Sequence, residues 1–169
     1  MRGGATVVQL RLKQADARTL VDVGRALVDA LPVPVIVNDR ADVALACGAA
    51  GVHVGADDIP VSALRRIVPP GFVIGASVRG DTGGADYVGI GPVFATSSKP
   101  DAPKPIGVDG FVALRARSSA PAVAIGGITA ENAGALRRAG SAGIAAIAAI
   151  FGTDDPEAAA RKIREAWAR

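Results

Sequence analysis

The chain has 169 residues, half of them hydrophobic and 21% charged, a balance that excludes an intrinsically disordered protein and fits one domain. The net charge of +3 is small and scattered and aromatic residues make up 4%, which argues against a nucleic-acid-binding surface. No apolar run is long enough for a membrane span, no signal-peptide pattern precedes the first strand, and the one cysteine, Cys47, excludes an intrachain disulfide. These features predict a single domain over residues 1–169 in the cytoplasm.

Short β-branched runs alternate along the chain with segments of helical periodicity. The predicted strands are apolar at successive positions, which is typical of parallel strands buried on both faces. They are Ala5–Leu10, Val33–Val37, Val52–Val54, Val73–Ala76, Tyr87–Ile90, Ala122–Ile125 and Gly143–Ile147. The predicted helices are Asp16–Ala30, Ala41–Cys47, Pro60–Val68, Gly110–Arg117, Ala130–Ala139 and Pro156–Ala168. This alternation predicts a parallel α/β fold.

Capping residues mark the expected helix ends, and one connection lacks a helix. The expected N-caps are Asp109, Thr129 and Asp155, the expected stops are Gly48 and Gly140, and prolines at first helical positions are Pro60 and Pro156. The link from Ser77 to Asp86 is too short and too rich in Gly and Asp for a crossover helix. Seven strands are therefore expected with six helices.

Polar side chains follow the first predicted strand, at the end where a (β/α) barrel carries its chemistry. Gln9, Arg11 and Lys13 alternate onto one side of an extended chain. Three donors on one side suit a phosphate or a pyrophosphate. A solvated strand end with incidental charges explains the same pattern equally well.

Carboxylates follow the second and third strands. Asn38 and Asp39 follow the second, and Asp57 and Asp58 follow the third. Carboxylates at neighbouring strand ends can share a Mg²⁺ that also binds substrate phosphate oxygens. The alternative for Asp57 and Asp58 is capping of the helix that begins at Pro60, and Asp58 could do both.

Several other chemistries find little support in the sequence. His53 lies inside the third strand and has no second histidine to join it, which argues against a zinc cluster or a His-based triad. Neither Ser77 nor Cys47 has a base at a recognisable spacing, so no covalent nucleophile is predicted.

The loops after the later strands suit a phosphorylated ligand. The loop 91–101 combines hydroxyls and a lysine between Gly and Pro residues, as a mobile ligand clamp or a solvated loop would. Gly126 and Gly127 lead into a helix, and a second small-residue loop, 148–152, follows the last strand. Glycines let the backbone approach an anion, and the last two strands of such barrels commonly bind phosphate.

The whole set resembles the thiamine phosphate synthase family over nearly the full chain. The resemblance rests on Gln9, Arg11 and Lys13, then Asn38 and Asp39, then Gly51–Asp58, Gly75–Ser77, Ala85–Lys99 and Gly126–Ile128. It implies a transferase that joins a hydroxymethylpyrimidine diphosphate to a thiazole phosphate, giving thiamine phosphate and pyrophosphate. The implied partners are these two small molecules, with no nucleic acid and no membrane. Assembly into a homo-oligomer is compatible with the resemblance.

The resemblance also implies a role for each site residue. The pyrimidine diphosphate would contact Gln9, Arg11, Lys13, Asn38, Ser77 and Lys99, of which Arg11, Lys13, Ser77 and Lys99 are the expected catalytic residues. Asp39 and Asp58 would hold Mg²⁺, the implied cofactor. The thiazole phosphate would contact Thr96, Ser98 and the backbone of Gly127, Ile147 and Ala148.

The implied fold is a TIM (β/α)8-type barrel with three departures from the family pattern. The chain is expected to begin at the family's second strand, so that the first β/α unit is missing and the barrel domain is incomplete at its N-terminus. The helix between the fourth and fifth strands is also expected to be missing. Ala148 stands where the family usually has a serine, which removes one hydroxyl donor.

Three other functions are compatible with parts of the sequence. A thiazole tautomerase of the same superfamily would have a histidine soon after the fourth-strand serine, where this chain has Arg79. A non-catalytic homologue that binds a phosphate ligand would fit the short chain but not the retained polar set. A sugar-phosphate epimerase would need paired acid and base residues or a metal with histidines.

Overall fold

The computed structural model describes residues 1–79, 82–96, 98 and 103–169. The chain divides into two compact units. The first unit comprises Met1 and Thr6–Tyr87, and the second comprises Arg2–Ala5 and Val88–Arg169. The prediction of one domain over residues 1–169 stays a prediction.

The first unit is built on four parallel strands that neighbour one another in chain order. Its elements are β1 (Val8–Leu10), α1 (Ala17–Ala30), β2 (Val35–Asn38), α2 (Ala41–Cys47), β3 (Gly51–Val54), α3 (Val61–Leu64) and β4 (Val73–Ser77). In the register of the sheet, Asn38 pairs with His53 and His53 pairs with Gly75. Side chains at paired positions of parallel strands point to the same face. The register therefore aligns the ends of β2, β3 and β4.

Aliphatic side chains fill the core of the first unit. Val35, Val37, Val52 and Ile74 are almost fully buried in the strands, and Leu20 of α1 packs into the same cluster. Each buried side chain of this kind contributes roughly 1.5–3 kcal/mol relative to exposure. The core leaves the polar strand ends as the part of the sheet that is available for a ligand.

The second unit repeats the strand–helix alternation. Its elements are β5 (Tyr87–Ile90, whose first residue belongs to the first unit), α4 (Gly107–Arg115), β6 (Ala122–Ile125), α5 (Ala130–Arg138), β7 (Gly143–Ala145), α6 (Ala148–Phe151) and α7 (Pro156–Ala168). Strands β5, β6 and β7 are parallel neighbours. Phe111, Leu136 and Trp167 are buried in its core. The Ser141 hydroxyl, also buried, accepts from the Ala124 amide and so ties β6 to the chain entering β7.

The link between β4 and β5 is held by side chains of the first unit. None of its described residues, 78, 79 and 82–86, lies in a helix, as the sequence predicts. Arg65 donates to the Gly84 and Phe72 carbonyls and pairs with Asp86. The Asp86 carboxylate also accepts from the Ile74 amide at 2.7 Å. These bonds secure the chain immediately before Tyr87.

Most predicted elements are confirmed, and the differences lie at their ends. Tyr87–Ile90, Ala122–Ile125, Ala41–Cys47 and Pro156–Ala168 have the predicted bounds, while β2, β3, β4, α1 and α5 shift by one or two residues. Strand β1 is shorter than predicted and begins at Val8. The Val8 N–H donates to the carbonyl of Pro34, just before β2, at 3.0 Å.

Several other predicted ends were wrong. Helix α4 begins at Gly107, so Asp109 lies in its first turn and is not its cap. Helix α3 spans only Val61–Leu64, so it ends before the predicted Val68, and Pro60 is its N-cap, in place of either aspartate, and not its first helical residue. Strand β7 ends at Ala145 and not at Ile147, because the chain turns at Ile147 into the short helix α6, which the sequence does not predict. Within the described ranges, no helix is long and apolar enough to cross a membrane.

Candidate functional site

A row of three residues crosses the polar end of the first unit. Asn38, His53 and Gly75 stand at paired positions on β2, β3 and β4. Ser77 follows Gly75 by two residues on β4, so strand alternation places its side chain on the same face. The predicted residues Asn38 and Ser77 thus both neighbour His53, for which the sequence predicts no role at the site.

His53 joins two hydroxyl groups. Its Nδ1 lies 3.0 Å from the Tyr87 hydroxyl and its Nε2 lies 3.3 Å from Ser77 Oγ. The imidazole and phenol rings are also in contact, with centroids 5.4 Å apart. Burial lowers the pKa of His53 to about 4, against a smaller opposing effect of Asp58, and burial raises the pKa of Tyr87 to about 12. Both groups are therefore neutral near pH 7.

Asp39 turns the chain sharply at the end of β2. It has a φ of 64°, in the left-handed region that aspartate tolerates better than most residues. Its amide donates to the His53 carbonyl at 2.8 Å, and the Arg40 amide donates back to the Asn38 carbonyl at 2.8 Å. Backbone strain of this kind is often found at functional sites. Here it occurs at a carboxylate residue whose backbone is hydrogen-bonded to that of His53.

Asp39 and Asp58 form a carboxylate pair. Partial burial and the neighbouring Asp58, which is close enough to share a hydrogen bond, raise the pKa of Asp39. Lys13 and Arg11 act in the opposite direction and lower that pKa by their positive charge. The predicted metal ligands are thus neighbours, and the two predicted cations after β1 lie within their electrostatic range.

This carboxylate pair fits a magnesium ion. Asp58 is directed by its own loop, since its Oδ2 accepts from the Gly55 amide at 2.7 Å. Mg²⁺ prefers hard oxygen ligands and commonly takes one or two carboxylates, completing its shell with water and substrate phosphate. The described residues hold no cluster of three or more His, Cys, Asp or Glu side chains suited to a metal. A two-carboxylate site that relies on the substrate for further oxygens is consistent with this.

The second unit contains a tightly folded glycine loop after β6. Gly126 and Gly127 have φ values of 97° and 61°, and a Cβ on Gly127 would stand 2.2 Å from the Ala95 carbonyl oxygen. The Phe94 amide donates to the Gly126 carbonyl at 3.0 Å, which fixes the loop to the segment after β5. Only glycine fits at position 127, so the close approach of backbone to backbone there depends on the sequence Gly-Gly.

Asn132 braces this loop from the first turn of α5. Its Nδ2 donates to the Gly127 carbonyl at 2.9 Å, and its Oδ1 accepts from the Thr129 amide at 2.9 Å. Thr129 is the N-cap that the sequence predicts, and together with Asn132 it forms a capping box. The backbone from Gly127 to Thr129 is thereby held at a helix N-terminus, where anions bind favourably.

The other predicted residues of the second unit are partly described. Thr96 Oγ1 accepts from the Ser98 amide at 3.2 Å, so these two hydroxyl residues share one turn. Ile147 is the N-cap of α6 and Ala148 is its first residue, both exposed. Lys99 lies outside the described residues.

The predicted residues around the end of β1, in the first unit, differ in exposure. Gln9 and Lys13 are exposed and Arg11 is partly buried.

Comparison with known proteins decides the family. The family model for thiamine monophosphate synthase matches residues 1–150. The thiamine-phosphate synthase of Chloroflexus aurantiacus is 48% identical over 171 residues, which cover 96% of this chain and 79% of that protein. The chain belongs to the thiamine monophosphate synthase family. It is an enzyme of the transferase class, and no comparison favours the tautomerase or non-catalytic alternative.

Solved structures agree with this assignment. The thiamine phosphate pyrophosphorylase from Pyrococcus furiosus has a TM-score of 0.87 and 37% identity, covering 99% of this chain and 85% of that one. The 3-hexulose-6-phosphate synthase from Salmonella typhimurium has a TM-score of 0.73 at 18% identity, covering 97% and 87%. Likeness at that identity shows the fold alone, and it confirms the TIM-barrel type predicted from the sequence.

Besides His53, two residues that contact the candidate site of this thiamine monophosphate synthase family member were not predicted. Tyr87 was predicted as a strand residue within the family motif but given no role, although a tyrosine that opens a buried strand is a polar group that must find a partner. Asn132 was hidden inside a helix, where the spacing Thr129-x-x-Asn132 is a variant of the capping-box signature. The signal at Asn132 is local, as are its partners Gly127 and Thr129, whereas nothing in the sequence around Tyr87 indicates that this residue contacts the distant His53.

Proposed function

We propose that the chain condenses 4-amino-2-methyl-5-hydroxymethylpyrimidine diphosphate with 4-methyl-5-(2-hydroxyethyl)thiazole phosphate, giving thiamine phosphate and pyrophosphate. The observation that carries the proposal is the charge arrangement of the first unit. Arg11 and Lys13 act electrostatically on Asp39, which itself neighbours Asp58. Two cations beside a magnesium-type carboxylate pair suit a diphosphate ligand.

The pyrophosphate group would be bound by the strand ends of the first unit. Arg11 would bind phosphate oxygens through its fork of donors and Lys13 as a point charge. Asp39 and Asp58 would hold Mg²⁺, which when bound neutralises charge that develops on the departing oxygens. Gln9, Asn38 and Ser77 would orient the pyrimidine and its diphosphate. Lys99 is proposed as a further cation on the basis of the family resemblance.

The reaction needs no enzyme nucleophile. The bond from the pyrimidine methylene to the pyrophosphate oxygen breaks, and its electron pair leaves with the pyrophosphate. The thiazole nitrogen lone pair then forms the new C–N bond to the electron-poor methylene carbon. This chemistry agrees with the surroundings of Ser77, whose Oγ lies 3.3 Å from an imidazole with a pKa that burial lowers to about 4, too low for a general base at neutral pH. Preorganised positive charge supplies the electrostatic stabilisation.

The thiazole phosphate would be bound by the second unit. Backbone N–H groups near Gly127, braced by Asn132, form a suitable anion-binding loop at the start of α5. Thr96 and Ser98 would add hydroxyl donors, and the backbone at Ile147 and Ala148 would complete the contacts. Because Ala148 offers no hydroxyl, its contribution is limited to the main chain. Anchoring by phosphate supplies the proximity that a two-substrate reaction requires.

Pyrophosphate release tests the proposal directly. The purified chain with Mg²⁺ and both substrates should release pyrophosphate and form thiamine phosphate in equal amounts. A control without thiazole phosphate separates condensation from slow hydrolysis of the diphosphate. A folded protein that binds thiazole phosphate but releases no pyrophosphate would instead support the non-catalytic alternative.

Substitution of Arg11 tests the assignment of the two substrates. Arg11→Ala should raise KM for the pyrimidine diphosphate at least tenfold, the scale expected for a charge-assisted hydrogen bond, and leave thiazole phosphate binding within about twofold. The matched control is Arg18→Ala, which removes an exposed arginine of α1. Equal loss of affinity for both substrates would contradict the assignment.

Asp58 tests the magnesium assignment. Asp58→Ala should raise the Mg²⁺ concentration needed for half-maximal activity by at least tenfold, because one of two carboxylates is lost. Asp57→Ala, at the exposed neighbouring position, should leave this concentration unchanged. An Asp58 variant that loses stability but keeps the magnesium dependence would assign the residue to its loop alone.

The composition of the chain also bears on its location and partners. We propose a cytoplasmic location, consistent with one buried free cysteine, Cys47, and with phosphorylated small-molecule substrates. The scattered net charge of +3 argues against nucleic acid as a partner. Association with further copies of the chain is left to measurement of its mass in solution.

A further inference from the structure

Three side chains of the first unit form a hydrogen-bonded chain that ends at a proposed substrate contact. Tyr87 Oη lies 3.0 Å from His53 Nδ1, and His53 Nε2 lies 3.3 Å from Ser77 Oγ. Tyr87 has no role in the proposed function. Among the described buried side-chain nitrogen and oxygen atoms, none lacks a partner. Because a hydroxyl has one proton, the direction of the hydrogen bond between His53 and Ser77 determines whether Ser77 offers a ligand its proton or only its lone pairs.

We propose that Tyr87 is a positioning residue for the condensation. Its hydroxyl donates to His53 Nδ1 and so keeps the imidazole proton on Nε2, which donates to Ser77 Oγ. The Ser77 hydroxyl proton is then free to be donated to the pyrimidine diphosphate. This inference rests on the proposed function in one respect only, namely that Ser77 contacts that substrate.

The direction of the chain follows from the chemistry of its end groups. A neutral imidazole has one donor nitrogen and one acceptor nitrogen, and the partner of one nitrogen fixes the role of the other. A phenol is a stronger donor than an aliphatic hydroxyl, so donation from Tyr87 to Nδ1 is favoured. In the opposite tautomer Ser77 would donate its proton to Nε2 and would face a ligand with lone pairs alone.

Tyr87 is held firmly enough to direct its neighbour. Its ring lies against β4 at Gly75, where a Cβ would stand 2.1 Å from the Tyr87 Cζ. The preceding residue, Asp86, is bound by Arg65 and by the Ile74 amide. A phenol fixed at both its backbone and its ring loses little further freedom when it donates to His53.

A serine that donates, and does not accept, suits the reaction. The departing pyrophosphate gains negative charge on its oxygens, and a hydroxyl donor aimed at them is worth more as that charge grows. Misdirecting this one proton should therefore reduce kcat more than it raises KM. A loss of about tenfold is expected, the scale of a single hydrogen bond.

The single histidine makes the tautomer measurable without interference. In ¹⁵N-labelled wild-type protein at about pH 8, above the ordinary pKa of histidine, NMR should show the proton on Nε2. Tyr87→Phe should give a mixture of tautomers or move the proton to Nδ1. A proton on Nδ1 in the wild type, or an unchanged tautomer in the variant, would overturn the proposal. Both results are independent of any activity.

Kinetics separate a positioning role from a structural one. Tyr87→Phe should lower kcat about tenfold and leave KM for thiazole phosphate within twofold. His53→Gln places a fixed N–H donor near the Nε2 position, so it should retain more activity than His53→Ala. Adding Tyr87→Phe to His53→Gln should lower kcat less than twofold further, because the amide N–H that donates to Ser77 does not depend on a tautomer. A full tenfold cost in that background would contradict the proposal.

A matched control and the wild-type reaction complete the test. Trp167→Phe changes another buried aromatic residue, on α7, and should leave kcat and the His53 tautomer unchanged. A wild-type enzyme that fails to release pyrophosphate would contradict the proposed function alone, since the tautomer is measured separately. An active wild type with an unaffected Tyr87→Phe kcat would contradict this inference alone.

Discussion

The aromatic ring of Tyr87 lies in the space that a side chain at position 75 would occupy. A Cβ built on Gly75 would stand 2.1 Å from the Tyr87 Cζ and 2.4 Å from its hydroxyl oxygen. Gly75 also pairs in register with His53, the hydrogen-bond partner of that hydroxyl. The absence of one methyl group on β4 therefore determines where the phenol, and through it the imidazole, can lie.

Filling this space should damage both stability and activity. Gly75→Ala is expected to lower the free energy of unfolding by about 1–3 kcal/mol, the usual effect of overpacking, and to displace Tyr87 from His53. Denaturant unfolding and kcat measure the two effects. Gly143→Ala on β7 is the matched control, because its Cβ would meet Val123 at an ordinary 3.6 Å. Equal effects of the two substitutions would show that the space at Gly75 is unimportant.

The carboxylate pair should be unfavourable for folding when no cation is bound. Burial and Asp58 raise the pKa of Asp39, so its charged form is disfavoured in the folded chain. Asp39→Asn should raise the free energy of unfolding at pH 7 by about 0.5 kcal/mol, a small gain because water screens a partly open site. The gain in stability should vanish as the pH falls below the ordinary carboxylate pKa, because Asp39 of the wild type is then protonated in the folded and the unfolded state alike.

The same substitution, Asp39→Asn, should reduce the stabilisation of the fold by Mg²⁺. Thermal unfolding without Mg²⁺ measures the effect of the substitution on stability, and the same measurement with Mg²⁺ measures how much the ion stabilises each protein. The wild type should gain more stability from Mg²⁺ than Asp39→Asn. Asp57→Asn removes an exposed carboxylate and serves as the control. If the wild type and Asp39→Asn respond equally to Mg²⁺, Asp39 is not a ligand.

Acid should destabilise the fold through His53. The folded pKa of His53 is about 4, below the ordinary 6.5, so the unfolded chain binds the proton more readily between these values. The stabilising contribution is present above about pH 6.5 and is lost as the pH falls toward 4. Roughly 1–3 kcal/mol should be lost across this window. In His53→Gln the free energy of unfolding should fall less with acid, and the difference from the wild type should be this loss of about 1–3 kcal/mol. Urea unfolding at a series of pH values measures it.

Asn132 should affect one substrate selectively. Asn132→Asp keeps the oxygen that accepts from Thr129 but replaces the amide that donates to Gly127 by an oxygen that repels the carbonyl. We expect KM for thiazole phosphate to rise about 5–30-fold and KM for the pyrimidine diphosphate to change less than twofold. The new carboxylate is favourable at a helix N-terminus, so stability should fall little. Glu131→Gln, which changes an exposed neighbour, provides the comparison.

Local sequence signals predicted most elements because they are local in their physics. Buried strands such as Ala122–Ile125 are visible as unbroken apolar runs, and the Thr129 and Asp155 caps act on amides three residues away. The predictions failed where a boundary depends on a distant partner. Asp109 has the residue type of a cap, yet α4 begins two residues before it, because the Gly107 amide donates to the Val93 carbonyl.

The amino-acid sequence by itself determined the fold type, the family and the order of polar groups along the strand ends. Apolar runs, capping residues and a distinctive motif order suffice for these, since each is a property of neighbours along the chain. Only the tertiary structure decided that His53 contacts both Tyr87 and Ser77, and that Asp39 neighbours Asp58. Such contacts depend on strand register and on the space left by Gly75, and neither is encoded by any short segment alone.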